Sequence, residues 1–136
     1  MVSITDKPID FNEVVKTVQR DAAGALCLFL GTIRNKTDEK DVLRLEYDSY
    51  DSMAVLEMEK LCDRAKEKWD NIAIEIVHRK GVMQTGEIAV AIAVSTPHRK
   101  ESFEACRFLI DTLKETVPIW KKEVFEGGEE WVSAHP

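Results

Sequence analysis

The sequence predicts an α+β domain: a mainly antiparallel sheet with helices packed on one face. Three observations carry this. Two short, continuous apolar runs, GALCLFLG (24–31) and GEIAVAIAVS (86–95), read as buried strands. Two longer stretches, 51–69 and 96–117, repeat apolar residues at three- and four-residue spacing and read as amphipathic helices. The C-terminal IWKKEVF and EEWVSA read as a hairpin turning on Gly127 and Gly128. Interleaved helices and strands that end on an antiparallel pair favour helices segregated to one side of a sheet.

Taken in order, Asp10 and Glu13 form a capping-box-like start, with Phe11, Val14, Val15 and Val18 at helical spacing. This predicts a short helix to about Arg20. The apolar run 24–31 leaves into TIRNKTDEKD, whose charge density predicts a solvated loop. VLRLEYDSY alternates, placing Leu43, Leu45 and Tyr47 on one face and Arg44, Glu46 and Asp48 on the other. Asp51 or Ser52 can cap the next helix, whose inner stripe is Val55, Cys62, Ala65 and Trp69. NIAIEIVHRKG is a second alternating strand, and GEIAVAIAVS, apolar almost throughout, is the central one. Thr96 and Pro97 read as N-cap and first residue of the last helix, which Pro118 stops. Phe103, Cys106, Ile110, Leu113 and Val117 give its buried side.

A chain of 136 residues, 44% hydrophobic and 32% charged, suits one domain spanning 1–136 with one core. Its apolar runs are far shorter than the ~20 residues a membrane-spanning helix needs. The opening MVSITDKPIDF lacks the basic and apolar regions of a signal peptide, so a cytoplasmic location is expected. Cys27, Cys62 and Cys106 are scattered among apolar residues, which predicts reduced, packed thiols. His78, His98 and His135 lack metal-ligand spacing, so neither metal nor cofactor is expected.

The net charge of −6 argues against a nucleic-acid surface. Its distribution is uneven: residues 97–122 hold six cations against four carboxylates. A basic segment in an acidic protein focuses a small anion without attracting a polyanion. Within it, His98, Arg99 and Lys100 arrive together at a helix start, where free N–H groups and the positive dipole end already stand. For stability alone cations are misplaced there; as an anion pocket the arrangement is favourable, with Arg99 able to grip phosphate through two parallel bonds. The alternative is surface pairing of Arg99 and Lys100 with Glu101, Glu104 or neighbouring carboxylates. Lys114 lies at the other end of the same helix, beside the Trp120, Lys121 and Lys122 that follow its stop. Clustered ammonium groups lower one another's proton affinity, one route to a reactive lysine. At about 1.5 Å per residue, Arg99 and Lys114 stand roughly 22 Å apart on a continuous helix. Either one of them is outside the site, or the site draws them from two chains.

FLGTIR (29–34), LEYDSYDSMA (45–54), HRKGVMQTGE (78–87), VSTPHRKESFEA (94–105), IDTLKETVPIWKKE (110–123) and WVSA (131–134) occur together and in this order. In them the chain resembles the large, catalytic subunits of molybdopterin synthases, the MoaE family. The resemblance implies an α/β-hammerhead fold and a sulfurtransferase. Its reaction takes sulfur from the thiocarboxylated C-terminus of a small ubiquitin-like subunit (MoaD-like). The acceptor is cyclic pyranopterin monophosphate, and the product is a dithiolene. It further implies a homodimer at the core of a heterotetramer, with Lys114 and Lys121 catalytic. Arg34, His98 and Arg99 would bind anion, Phe29 would form a pocket wall, and the His and Arg of one subunit would face the lysines of the other. Where some relatives carry a tail arginine this chain has His135, which puts a tail contribution to phosphate binding in question. The competing expectation is a non-catalytic dimeric module that binds a ubiquitin-like partner or a phosphorylated ligand.

Overall fold

The computed structural model describes residues 1–37 and 40–133. Their order is β1 (Val2–Thr5), α1 (Phe11–Val18), β2 (Ala25–Thr32), β3 (Lys36–Thr37), β4 (Lys40–Ser49), α2 (Asp51–Lys68), β5 (Ala73–Arg79), β6 (Gly81–Met83), β7 (Ile88–Thr96), α3 (Arg99–Thr116), β8 (Ile119–Phe125) and β9 (Gly128–Ser133).

Two sheets form instead of one. The first runs β1-β5-β7-β2, with β1 parallel to β5 and the other pairs antiparallel. The second runs β3-β4-β8-β9, with β6 also paired to β4. Strand β7 is central, as its composition predicts, and it is apolar on both faces because both faces are covered. Val90, Ile92 and Val94 pack against α2 and α3, together with Met58, Leu61, Leu109 and Leu113. Ala91 and Ala93 face the opposite way, onto Val14 and Val18 of α1. Helices therefore lie on both faces of the first sheet, which corrects the expectation of one. The reason is the two-residue period of a strand: an all-apolar run has two faces to bury. Fully burying side chains such as Leu109 and Ile92 contributes about 1.5–3 kcal/mol each. A third cluster, Ile33, Val42, Leu45, Met83 and Ala89, joins the second sheet to the start of β7.

Several local expectations shift. Helix α1 ends at Val18. Arg20 lies beyond it, donating from Nε to Ser95 Oγ at 3.1 Å and from Nη2 to the Ser95 carbonyl at 2.9 Å. TIRNKTDEKD is not simply a loop: Lys36 and Thr37 pair with Asp41 and Lys40. Leu43 points outward, 52% exposed, while Val42 and Leu45 are buried. A register shift between Val42 and Arg44 inserts the extra residue that breaks the alternation. Helix α2 is capped by Tyr50 without a side-chain bond, and Asp51 instead bonds Ser49 and pairs with Lys80. Its deepest residues are Ala54, Met58, Leu61 and Ala65, while Val55 and Trp69 are only partly buried. Thr96 stays in β7, paired with Ala25, so the cap of α3 is His98, in extended backbone and without a side-chain cap bond. Thr96 Oγ1 donates to the His98 carbonyl at 2.6 Å and braces that corner.

Candidate active site

The two sheets meet over the C-terminal end of α3, and a cavity of about 330 Å³ opens there. One wall is β2, with Phe29, Gly31 and Thr32, followed by Arg34. Gly31 is required by space: a Cβ there would stand 2.6 Å from Val90 Cγ1. Helix α3 contributes Ile110, Leu113 and Lys114 from its last turns. The helix stops before Pro118, and the Val117 N–H closes back on the Leu113 carbonyl. The negative end of the helix dipole therefore faces the cavity and favours the Lys114 ammonium. After the stop the chain reverses into β8, which delivers Lys121 and Glu123, two residues apart and hence on one face.

Across the strands, Tyr47 lies opposite Lys121, and Leu45 opposite Glu123. Glu123 is buried, 3% exposed, with its carboxylate 3.3 Å from Lys121 Nζ. That pair fixes the direction of Lys121 and neutralises much of its charge. Lys114 and Arg34 make no ion pair among the described residues, so they leave net positive charge facing the cavity. Tyr47 has its phenol pushed up to about 12, first by burial and then by the Glu123 charge, so it remains a protonated donor at neutral pH. His78 completes the floor from β5. Its ring meets Tyr47 edge-on, 5.4 Å between centroids. Burial lowers the imidazole to about 4, outweighing the opposing bond to the Arg79 carbonyl, and the ring is neutral at working pH.

Of the residues singled out from sequence, Phe29, Arg34, Lys114 and Lys121 line this one cavity. His98 and Arg99 do not. Both are exposed at the opposite end of α3, which is continuous from Arg99 to Thr116, so roughly 22 Å of helix separates Arg99 from Lys114. Neither Arg99 nor Lys100 makes an ion pair among the described residues. Lys122 is not part of a cation cluster. It faces the other side of β8, 2.7 Å from Glu46, 3.6 Å from Glu129 and over the ring of Trp131. His135 lies outside the described residues. Tyr47, His78 and Glu123 are cavity residues that the reading of the sequence did not single out. Glu123 carried a signal, its position two residues after Lys121 on a strand. His78 carried none beyond its type.

The cavity gathers Arg34, Lys114 and Lys121 at a helix end in a two-sheet α+β frame. The family model described as MoaE protein matches residues 4–116. The chain belongs to the MoaE family. It is 45% identical over 129 residues to the molybdopterin synthase catalytic subunit of Bacillus subtilis, covering 95% of this chain and 82% of that protein. It is equally 45% identical over 131 residues to the protein of that name from Dictyostelium discoideum, covering 95% and 83%. The solved molybdopterin synthase from Staphylococcus aureus superimposes with a TM-score of 0.93 at 38% identity, over 96% of this chain and 95% of that one.

Proposed function

We propose that the chain is the large, catalytic subunit of a molybdopterin synthase, working in molybdenum cofactor biosynthesis as a single domain, 1–136. It transfers sulfur from the thiocarboxylated C-terminus of a small ubiquitin-like subunit to cyclic pyranopterin monophosphate and so builds the dithiolene. The observation that carries this reading is the convergence of Lys114 and Lys121, from a helix end and a strand, on one cavity with Arg34 and Phe29. The chemistry asks for such a place. The donor is an anion, the acceptor bears a phosphate, and charge moves between them during transfer. Fixed cations in a partly enclosed cavity stabilise that charge without reorganising at the moment of reaction. Lys114, unpaired within the described residues, is the group able to give a proton to a departing oxygen or to hold the donor's developing carboxylate. Lys121, pinned by Glu123, acts as a fixed charge. Phe29 forms apolar wall against which an extended glycine tail lies.

His98 and Arg99 serve the site of a second copy. One chain cannot bring Arg99 and Lys114 to a single small ligand, so the working unit is a homodimer carrying two small subunits, a heterotetramer. No resident cofactor or metal takes part in this step, and nucleic acid and membrane are not partners. No helix among the described residues is long and apolar enough to cross a membrane. A cytoplasmic location suits the three free cysteines. The test combines the purified chain, thiocarboxylated small subunit and cyclic pterin, and measures dithiolene. Product that requires all three is expected; an intact dimer that binds the small subunit yet forms none would overturn the reading in favour of a binding module.

A further inference from the structure

We propose that His78 is a neutral hydrogen-bond acceptor of this cavity, taking an N–H or O–H of the pterin substrate through Nε2 and so favouring a donor-bearing heterocycle. The inference rests on the sulfur-transfer reading above and adds a binding residue to it.

Four observations support it. His78 is 5% exposed, and its ring lines the same cavity as Lys114 and Lys121. Its Nδ1 lies 2.9 Å from the backbone carbonyl oxygen of Arg79. A carbonyl oxygen only accepts, so Nδ1 carries the proton and donates, and the lone pair is left on Nε2. No described residue bonds Nε2. The edge-on contact with Tyr47, at 62° between planes, holds the ring's orientation.

The other polar groups of the cavity explain what Nε2 is for. Arg34, Lys114 and Lys121 only donate, and Tyr47 stays protonated. One oxygen of the Glu123 carboxylate is paired with Lys121. Nε2 is a neutral acceptor among these side chains, with no bond to a described residue. A phosphate or thiocarboxylate is served by the cations, but a pterin also buries N–H and O–H groups, and a buried donor without an acceptor is costly. Burial keeps the imidazole neutral, so it adds no further cation and remains an acceptor throughout the neutral range. A site built around one such bond discriminates strongly against a ligand lacking the donor.

The experiment measures binding and turnover separately, using the chain assembled with its small subunit. His78→Asn keeps a donor near the Nδ1 position for the Arg79 carbonyl and deletes the Nε2 lone pair. Calorimetric titration with cyclic pyranopterin monophosphate is expected to show an affinity loss of about tenfold or more. The single-turnover rate at saturating substrate should fall by a smaller factor than the affinity does. Binding of the small subunit should be unchanged, and His78→Gln, whose amide oxygen reaches further, should recover part of the affinity. Wild-type affinity in His78→Asn overturns the proposal, and so does a rate loss with affinity intact. If His78→Asn does not fold, His78→Gln and His78→Phe carry the same comparison, with Phe expected to bind more weakly than Gln. Equal affinity in those two overturns the proposal. The titration needs no turnover: failure of the sulfur-transfer reading appears as wild-type protein that makes no dithiolene, whereas failure of this inference appears as affinity indifferent to residue 78.

Discussion

Lys121 and Lys122 are consecutive on β8, and the fold gives them opposite surroundings. Lys121 faces the cavity, across from Tyr47 and against the buried carboxylate of Glu123. Lys122 faces the outer side, between Glu46 and Glu129 and over Trp131. Each lysine has a carboxylate, but the carboxylate of Lys121 is sealed in the interior while those of Lys122 border solvent. Adjacency in sequence says little about a shared site on a strand; parity says nearly everything. The same rule separates Val90 and Ala91 on β7, one looking at α3 and the other at α1.

That contrast breaks most visibly in rate. Replacing Lys114 or Lys121 by alanine is expected to lower the single-turnover rate of dithiolene formation by about 10²–10⁴. Pull-down of the small subunit should be nearly unaffected, because the docking surface extends well beyond one ammonium. Lys114→Arg should restore only part, since guanidinium scarcely yields its proton and is shaped differently. A near-wild-type rate in Lys114→Ala would remove the catalytic assignment.

The inward face also has a pH signature. His78 is lowered in the folded state to about 4 from an ordinary 6.5. The unfolded chain therefore binds the extra proton first as pH falls. Stability from this group is complete above about 6.5, declines through the window between, and is exhausted below about 4, a total of up to about 3 kcal/mol. Urea midpoints measured from pH 7.5 to 4 should fall in that window for wild type and less steeply for His78→Gln. Identical slopes would mean that the imidazole is charged or accessible.

Much of the frame was legible because it is local. Apolar runs and three- and four-residue spacing marked β2, β7, α2 and α3 within a few residues of their observed ends. What escaped was set by distant parts of the chain. VSIT is four residues with no signature of its own, and it is a strand because β5, about seventy residues on, offers a parallel edge. Leu43 follows the alternation of its neighbours in sequence, yet a register shift against β8 turns it outward. The N-cap assigned to α3 was not correct, because pairing with Ala25 holds Thr96 in the sheet and the helix starts at Arg99, although Pro118 marks its stop. In the site, Lys114 and Lys121 stood out by charge around a forced helix stop, and Phe29 and Arg34 through the family resemblance. Tyr47, His78 and Glu123 did not stand out, because lining a cavity between two sheets leaves no period in the sequence.

Smaller effects sharpen the comparison. Arg99→Ala should leave the fold intact and weaken cyclic pterin binding by about 1.5–3 kcal/mol, the worth of a charge-assisted bond. Titration within about twofold of wild type would take Arg99 out of the site. Lys122→Ala should change the rate by less than about twofold, since ion pairs bordering solvent contribute little. A large loss there would mean that the outer face, and not the cavity, carries the chemistry.

The central claim is that one working site takes its lysines from one chain and its Arg99 from another. Mixing two crippled variants tests it most directly. Arg99→Ala and Lys114→Ala dimers are purified separately, dissociated, mixed in equal amounts and allowed to reassociate, with small subunit supplied and cyclic pterin held near the wild-type Kd, where Arg99→Ala is largely unoccupied. In a hybrid dimer one of the two sites holds both an intact Arg99 and an intact Lys114. Random reassociation should therefore return dithiolene formation to about a quarter of the wild-type level, far above either variant alone. If the mixed sample, shown to contain hybrids, stays as inactive as its parents, the two residues do not meet across a dimer and the shared site is refuted.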